Sequence, residues 1–296
     1  MIESSDWVNA VLNHRQPLEP LETDVVAELQ TLRSVRAVVF DVYGTLVISG
    51  SGDVGSADTS GEDSKIGEAM AAVGIVPQAE RIPTVAELHA QIKRINDLRR
   101  DETCPKPEVD IVEAWRKTLE NRQTEFPGSA TNCVVQLAAE YEARANPTWP
   151  MPGAAELLSR LKEAGIPLGI VSNAQVFTPF LVENLLADKS LQRGGFDSDL
   201  CIFSNRFRQA KPGPRLFDAL REGLVRRGIL PHEAIYVGND MLNDVWAASQ
   251  AGMRTAWFAG DARSCRPRGD DPRCRGLRPD IVLTSLMQLL QCLPIE

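Results

Sequence analysis

The sequence has little of several features that mark particular classes of protein. None of its apolar runs approaches the ~20 residues that a membrane helix needs. The first residues, MIESSDWVNAVLNH, place acidic residues before any apolar stretch and lack the layout of a signal peptide. We therefore expect a cytoplasmic protein with no membrane partner.

Cysteine and histidine are present without a metal-binding pattern. The six cysteines lie far apart, with no C-x-x-C pair and no neighbouring histidine, so neither a zinc site nor a redox pair is indicated. Free thiols are expected in the cytoplasm. The three histidines have no candidate nucleophile nearby and receive no catalytic role.

Positive charge is in deficit, with a net charge of −8 and a pI near 5.1. An acidic surface repels nucleic acid on average, so no nucleic-acid partner is expected, although a local basic pocket for a small anion stays compatible. The arginine-rich stretch RSCRPRGDDPRCRGLRP alternates with Asp and Pro, which is typical of a solvated loop.

The chain does carry the pattern of a globular α/β protein of one or two domains. An apolar, β-branched run, RAVVFD at 36–41, suits a buried strand. From residue 148 onward, apolar strand-like runs alternate with amphipathic helical ones, which predicts a parallel sheet with helices on both faces. Residues 20–35 show helical periodicity and predict a leader helix packed on this domain.

A different composition separates the first strand from that alternating region. Residues 49–64, SGSGDVGSADTSGEDS, are rich in Gly, Ser and Asp and predict a linker. Residues 65–146 have only helical patterns. The sequence therefore predicts a discontinuous α/β core domain at 1–48 and 148–296, with a linker and an inserted all-helical domain at 49–147.

Polar residues follow the predicted strands at their carboxyl ends, where ligands of parallel sheets bind. They are Asp41, Ser172 with Asn173, and Asn239 with Asp240 and Asp244, and Lys211 lies in the nearby loop QAKPGP. This convergence of groups from distant segments is the strongest functional signal in the sequence.

These residue types suit attack by a carboxylate on a small anionic substrate. Asp41 is the candidate nucleophile. Thr45 and Ser172 offer hydroxyl groups and Asn173 an amide, and the turn shaped by Gly44 and Thr45 offers backbone N–H groups to an oxyanion.

Charge neutralisation is the second requirement of such a site. Lys211 would neutralise charge on Asp41 and on the transferred group. Asp240 and Asp244 are one helical turn apart, and with Asp41 they can hold Mg²⁺, a hard cation that prefers oxygen ligands.

Four segments with these residues resemble the motifs of the haloacid dehalogenase (HAD) superfamily of hydrolases, in that family's order. They are DVYGTL at 41–46, GIVSNA at 169–174, KPGPRLF at 211–217 and VGNDMLNDVWAASQAGM at 237–253. The resemblance covers most of residues 36–285. It implies a Rossmann-like core, a cap domain formed by the helical insert, and hydrolase activity.

The resemblance also implies roles for individual residues. Asp41 matches the nucleophile, Ser172 the hydroxyl of the second motif and Lys211 the lysine of the third. The implied Mg²⁺ ligands are Asp41, the backbone carbonyl of Tyr43, Asp240 and Asp244. The residues expected to contact substrate are Tyr43, Gly44 and Asn239.

Two departures from the family's phosphatases bear on the reaction. Phosphatases of the family have an acid/base Asp where this chain has Tyr43, and a phenol that titrates near ~10 is a poor base at neutral pH. The family's 2-haloacid dehalogenases carry Tyr there, since halide leaves without a proton. The fourth motif favours the opposite reading, because it keeps two acids that a metal-free dehalogenase does not need, although Asn239 replaces the first acid.

The retained acids make hydrolysis of a small phosphorylated metabolite with Mg²⁺ the first hypothesis. The second is a metal-free 2-haloacid dehalogenase. The third is a binding protein that keeps the fold and has lost turnover through Tyr43.

Overall fold

The computed structural model describes residues 10, 12–51, 63–75, 81–122, 124, 126 and 129–294. The strands within these residues are β1 (Ala37–Phe40), β2 (Val47–Ser49), β3 (Thr148–Pro150), β4 (Leu168–Ser172), β5 (Phe196–Phe203), β6 (Ala234–Gly238), β7 (Arg254–Phe258) and β8 (Ile281–Leu283). In this described part of the chain, six of them form a parallel sheet in the order β5-β4-β1-β6-β7-β8. The other two, β2 and β3, form an antiparallel ribbon.

Helices cover both faces of the sheet because its strands are apolar on both sides. All four residues of β1 are buried. Val38 and Phe40 pack in one apolar cluster with the helix Ala154–Glu163, whereas Val39 packs in a second cluster with the helix Pro214–Arg226. Alternate side chains of one strand thus point to opposite faces, as strand geometry requires. The predicted α/β class is confirmed.

The remaining helical elements outside the insert are shorter. They are Thr178–Leu185, Ser204–Phe207, Ala247–Gln250 and Leu289–Cys292, the 3₁₀ turns Pro231–Glu233 and Leu286–Gln288, and a π-helical segment at Met241–Trp246. The π-helical segment follows β6 directly and carries the residues of the fourth motif.

The insert leaves the core after β2 and returns at β3. Its described helices are Asp63–Ala72, Val85–Arg99, Ile111–Asn121 and Ala130–Ala145. They share an apolar cluster around the buried Trp115, whose ring meets that of Tyr141 edge-on at 5.2 Å. The all-helical character predicted for this region is confirmed in these residues. Residues 52–62 of the predicted linker lie outside the described residues, and the domain boundaries stay a prediction.

The leader helix predicted at 20–35 is wrong. These residues form no helix, and the supposed apolar face leaves Leu21 51% and Leu29 40% exposed. Glu28 instead exchanges two backbone hydrogen bonds with Val282 on the edge strand β8, at 3.0 and 2.9 Å. An unpaired sheet edge offers the backbone partners that a helix would otherwise supply internally.

None of the described helices combines the length and the apolar content that crossing a membrane would require.

Candidate active site

The sheet topology gathers the predicted residues at one edge. β1 lies between β4 and β6, so the chain first builds the sheet on one side of β1 and then crosses to the other. Asp41 directly follows β1, where its backbone N–H donates to the carbonyl of Val237 at 2.9 Å. Ser172 ends β4 and Asn239 follows β6. Such a reversal of strand order is where open α/β sheets bind ligands.

A cavity opens at this edge of the sheet. Its lining residues are Asp41, Tyr43, Ser172, Asn173, Lys211, Asn239, Asp240, Asn243, Asp244 and Arg266. Of the residues predicted for the site, Gly44 and Thr45 do not line the cavity. Asn243 and Arg266 line it without having been predicted.

Lys211 is the electrostatic centre of the cavity. Its Nζ lies 2.8 Å from Oδ1 of Asp41 and 2.6 Å from Oδ1 of Asp244, and the side chains of all three are buried. The loop reaches this position because the backbone N–H of Lys211 donates to Oδ1 of Asn173 at 2.8 Å. The amide of Asn173 therefore holds the loop that delivers the lysine.

Tyr236 supports the lysine from within β6. Lys211 Nζ donates to the Tyr236 hydroxyl at 3.1 Å, and that hydroxyl donates to the carbonyl of Val171 at 2.6 Å. Burial alone would lower the pKa of Lys211, but the carboxylates of Asp244 and Asp41 raise it above its ordinary value. The ammonium group therefore stays protonated beside the candidate nucleophile.

The turn after Asp41 is held by contacts with the fourth motif. Gly44 has a φ of +78°, in the left-handed region that favours glycine. The Thr45 hydroxyl donates to Oδ1 of Asn239 at 3.2 Å, and Nδ2 of Asn239 donates to the carbonyl of Ser264 at 2.6 Å. Thr45 is fully buried, so its hydroxyl stabilises the turn from the side that faces away from the cavity.

The hydroxyl groups of Ser172 and Tyr43 each have a hydrogen-bond partner within the protein. The Ser172 hydroxyl donates to the carbonyl of Asn173 at 3.1 Å. The Tyr43 hydroxyl shares a hydrogen bond of 3.0 Å with Oγ1 of Thr178. Burial, followed by the nearby charge of Glu142, raises the pKa of Tyr43 well above its ordinary value. The phenol is therefore neutral near pH 7.

Asp240 is enclosed by donors. As the N-cap of the π-helical segment, its Oδ1 accepts from the backbone N–H groups of Leu242 and Asn243 at 2.8 and 3.1 Å. Its Oδ2 accepts from Nδ2 of Asn243 at 2.9 Å and from Nη2 of Arg268 at 2.6 Å. Burial opposes ionisation, but the hydrogen bonds from Arg268 and this backbone lower the pKa of Asp240.

The predicted magnesium ligands do not fit a metal site as the structure arranges them. Both oxygens of Asp240 are engaged as described, and Asp244 accepts from Lys211 with Oδ1 and from the backbone N–H of Asp240 with Oδ2. Among the described residues, no group of three or more His, Cys, Asp or Glu side chains is placed to hold a metal ion. Ligation by Asp41, the carbonyl of Tyr43, Asp240 and Asp244 stays a prediction, and it requires Arg268 to leave Asp240.

The expectation that the arginine-rich loop is solvated is wrong for two of its residues. Arg266 lines the cavity and Arg268 pairs with Asp240. The alternation of Arg with Asp and Pro contains no signal for this. Tyr236 was missed for a similar reason, since a tyrosine within the run AIYVGN looks like any other strand residue.

Comparison with known proteins identifies the family. A family model described as haloacid dehalogenase-like hydrolase matches residues 35–252, well over half of the chain. The chain belongs to this family of hydrolases.

Similar proteins with curated names include phosphatases. A phosphoserine phosphatase from Thermus thermophilus is 28% identical over 190 residues, which are 62% of this chain and 68% of that protein. A glyceraldehyde 3-phosphate phosphatase from Pyrococcus furiosus is 32% identical over 170 residues, which are 51% of this chain and 65% of that protein. The matches thus span about two thirds of each relative's length.

Similar solved structures include dehalogenases. The 2-haloacid dehalogenase from Pseudomonas syringae pv. Tomato aligns with a TM-score of 0.52 and 22% identity, over 87% of this chain and 97% of that one. The defluorinating L-2-haloacid dehalogenase Rha0230 aligns with a TM-score of 0.51 and 19% identity, over 90% and 99%. At these identities the likeness shows a shared fold.

Proposed function

We propose that this chain hydrolyses a small phosphorylated metabolite, with Asp41 as the covalent nucleophile. The observation that carries the proposal is the buried ammonium of Lys211, held 2.8 Å from Asp41. This charge lies beside the attacking carboxylate and attracts an anionic substrate to the same place. The names of the two phosphatase relatives, each of which specifies a small phosphate ester, support the choice of substrate class.

In the first step, a carboxylate oxygen of Asp41 attacks the phosphorus atom of the ester. A bond forms between that oxygen and phosphorus, and the bond from phosphorus to the leaving alcohol breaks. The alcohol oxygen takes a proton from water. Lys211, Asn173 and Arg266 line the cavity with N–H groups that suit the phosphoryl oxygens.

In the second step, water attacks the phosphorus of the aspartyl phosphate. The bond between phosphorus and the Asp41 oxygen breaks, so that inorganic phosphate leaves and the carboxylate of Asp41 is restored. The proton that the attacking water loses neutralises the hydroxide left by the first step. Tyr43 occupies the sequence position at which the resemblance implies a base that activates this water. Its phenol is neutral, however, and is hydrogen-bonded to Thr178. We therefore expect the second step to be slow and the aspartyl phosphate to accumulate.

The same phenol favours a second candidate, hydrolysis of a 2-haloacid. Asp41 would attack the carbon that bears the halogen, and halide would leave without a proton, so no acid is needed at residue 43. Water would then cleave the resulting ester to give the 2-hydroxyacid and free Asp41.

Neither of these two reaction routes uses Mg²⁺ in either of its steps. A magnesium requirement stays a prediction, which each assay tests directly when run with added Mg²⁺ and with EDTA.

The test compares the wild-type protein with Asp41→Asn. Release of inorganic phosphate is measured from p-nitrophenyl phosphate, phosphoserine and glyceraldehyde 3-phosphate, and release of chloride from L-2-chloropropionate. Mass spectrometry of acid-quenched wild-type protein then locates any phosphoryl group on the peptide that contains Asp41. We expect phosphate release that Asp41→Asn abolishes, together with a phosphorylated Asp41 peptide.

The other outcomes separate the hypotheses. Chloride release without phosphate release would overturn the phosphatase proposal in favour of the second candidate. Phosphate release that survives in Asp41→Asn would show that another group is the nucleophile. Silence in both assays would leave the third hypothesis, a binding protein that has lost turnover.

A further inference from the structure

The loop after β7 is fastened to the fourth motif by its backbone. The N–H of Arg266 donates to the carbonyl of Asn239 at 3.0 Å, and the N–H of Met241 donates to the carbonyl of Arg266 at 2.9 Å. These two bonds set residues 239–241 and residue 266 side by side. Arg268, two residues further on, is thereby delivered to the carboxylate of Asp240.

The guanidinium of Arg268 hydrogen-bonds to that carboxylate through two of its nitrogen atoms. Its Nε lies 3.2 Å from Oδ1 and 3.1 Å from Oδ2 of Asp240, and its Nη2 lies 2.6 Å from Oδ2. Paired contacts of this kind are the strong form of an arginine–carboxylate interaction. The Asp240 side chain is only 8% exposed, whereas that of Arg268 is 36% exposed, so solvent screens the pair from the arginine side.

The backbone at Arg268 is consistent with a fixed position. Its φ is +51°, in the left-handed region that residues other than glycine adopt rarely. The ion pair and the flanking backbone bonds hold the residue there. Exchange of Arg268 for another partner of Asp240 would therefore disturb the loop as well as the ion pair.

Each of the three carboxylates of the site already contacts a cation of the chain itself. Lys211 lies between Asp41 and Asp244, and Arg268 covers Asp240. A divalent cation that coordinated Asp240 would have to replace the guanidinium of Arg268 or lie close to it. In the second case the two positive charges would repel each other. Mg²⁺ also gives up its hydration water reluctantly.

We propose that Arg268 occupies the cation position at Asp240 and competes with divalent metal ions for this carboxylate. Asp240 is then not a metal ligand while Arg268 is in place, and a divalent ion gains this carboxylate only when Arg268 is removed. The inference concerns the occupancy of one carboxylate, so it does not depend on which reaction Asp41 performs.

The experiment measures binding of Mn²⁺, a paramagnetic substitute for Mg²⁺, by electron paramagnetic resonance, without any substrate. The proteins are wild type, Arg268→Gln and the control Arg273→Gln. Arg273 lies in the same loop but pairs with Asp271 and stacks on Trp246. We expect Arg268→Gln to bind Mn²⁺ at least about tenfold more tightly than wild type, since a charge-assisted competitor has been removed. Arg273→Gln should bind like wild type.

A second variant assigns the ligand and covers misfolding of the first. In the wild-type background, Asp240→Asn should leave Mn²⁺ affinity unchanged, and in the Arg268→Gln background it should cancel the gain. Circular dichroism confirms that each variant is folded. The proposal is overturned if Arg268→Gln binds no better than wild type, or if Asp240→Asn alone weakens Mn²⁺ binding by about tenfold. Because the readout is binding, inactivity of the protein on every substrate would not affect it.

Discussion

The hydroxyl of Tyr43 lies 3.0 Å from Oγ1 of Thr178, where it binds as a structural partner. Thr178 begins the helix after the second motif, and its Oγ1 also accepts from the backbone N–H of Gln175 at 3.0 Å. The phenol thus joins the turn after β1 to the segment after β4. This contact gives the phenol a structural partner at the residue where the resemblance would place the acid/base Asp of a phosphatase.

Replacing Tyr43 with Phe tests that interpretation. Because the hydroxyl is structural, we expect kcat to change little and the free energy of unfolding to fall by about 1 kcal/mol, the usual worth of one hydrogen bond. Steady-state kinetics on the active substrate and urea unfolding measure the two quantities. A fall in kcat of about 10²-fold or more would instead identify the phenol as an acid/base group.

Removing the buried lysine should affect both activity and stability. Lys211→Met leaves the carboxylates of Asp41 and Asp244 without their shared cation, which we expect to cost about 3–5 kcal/mol of unfolding free energy. Loss of a preorganised charge should lower kcat by about 10²–10³-fold in protein that remains folded. Lys162→Met is the matched control, since Lys162 is exposed and donates to the carbonyl of Arg193. Equal effects of the two substitutions would refute the role given to Lys211.

Alanine substitutions at two glycines with similar φ values distinguish the cost of a steric clash from the cost of left-handed backbone strain. Gly44 and Gly165 have φ values of +78° and +71°. A Cβ at residue 44 would lie 2.5 Å from Cβ of Ser264 and 2.8 Å from Nδ2 of Asn239, whereas a Cβ at residue 165 would have nothing within 4 Å. We expect Gly165→Ala to cost about 1 kcal/mol, the left-handed strain alone. Gly44→Ala should cost more and should also lower kcat, because the turn that carries Asp41 must shift.

Thermal unfolding and kcat of these two variants are the measurements. If Gly44→Ala changed thermal stability and kcat no more than Gly165→Ala does, the close packing of the turn against the fourth motif would not be needed for function.

Glu108 should make stability depend on pH. Its carboxylate accepts from the Ser204 hydroxyl at 2.7 Å and from Nε2 of Gln175 at 3.2 Å, and burial raises its pKa to about 7. The folded protein therefore holds a proton that the unfolded chain releases above about pH 4.3. This contribution is full below that pH and is lost as pH rises through about 7. For this half-buried group, we expect roughly 1–2 kcal/mol after solvent screening.

Glu108→Gln isolates that contribution, since the amide cannot titrate. Urea unfolding at pH 5, 6, 7 and 8 should show a smaller decline in stability with pH in Glu108→Gln than in wild type. Glu120→Gln, at an exposed position beside Arg116, serves as the control and should keep the wild-type slope. A slope in Glu108→Gln equal to that of wild type would contradict the prediction.

The sequence by itself determined the features that depend on neighbouring residues. The strand RAVVFD and the turn residues after Asp41 are local patterns, and the structure has the strand where it was expected, at Ala37–Phe40. The order of strands and helices then requires a parallel sheet, and such a sheet brings Asp41, Ser172 and Asn239 to one edge.

Only the tertiary structure decided which groups those residues bind. The 20–35 segment pairs with the edge of β8 although its spacing fits a helix, because hydrogen bonds offered by a distant strand outweigh a weak local preference. Asp240 meets Arg268, 28 residues away, and Tyr43 meets Thr178, 135 residues away. No local pattern encodes such pairs, since they depend on how the sheet and its loops pack. The acids of the fourth motif were recognisable from sequence, whereas the pairing of Arg268 with Asp240 was visible only in the folded chain.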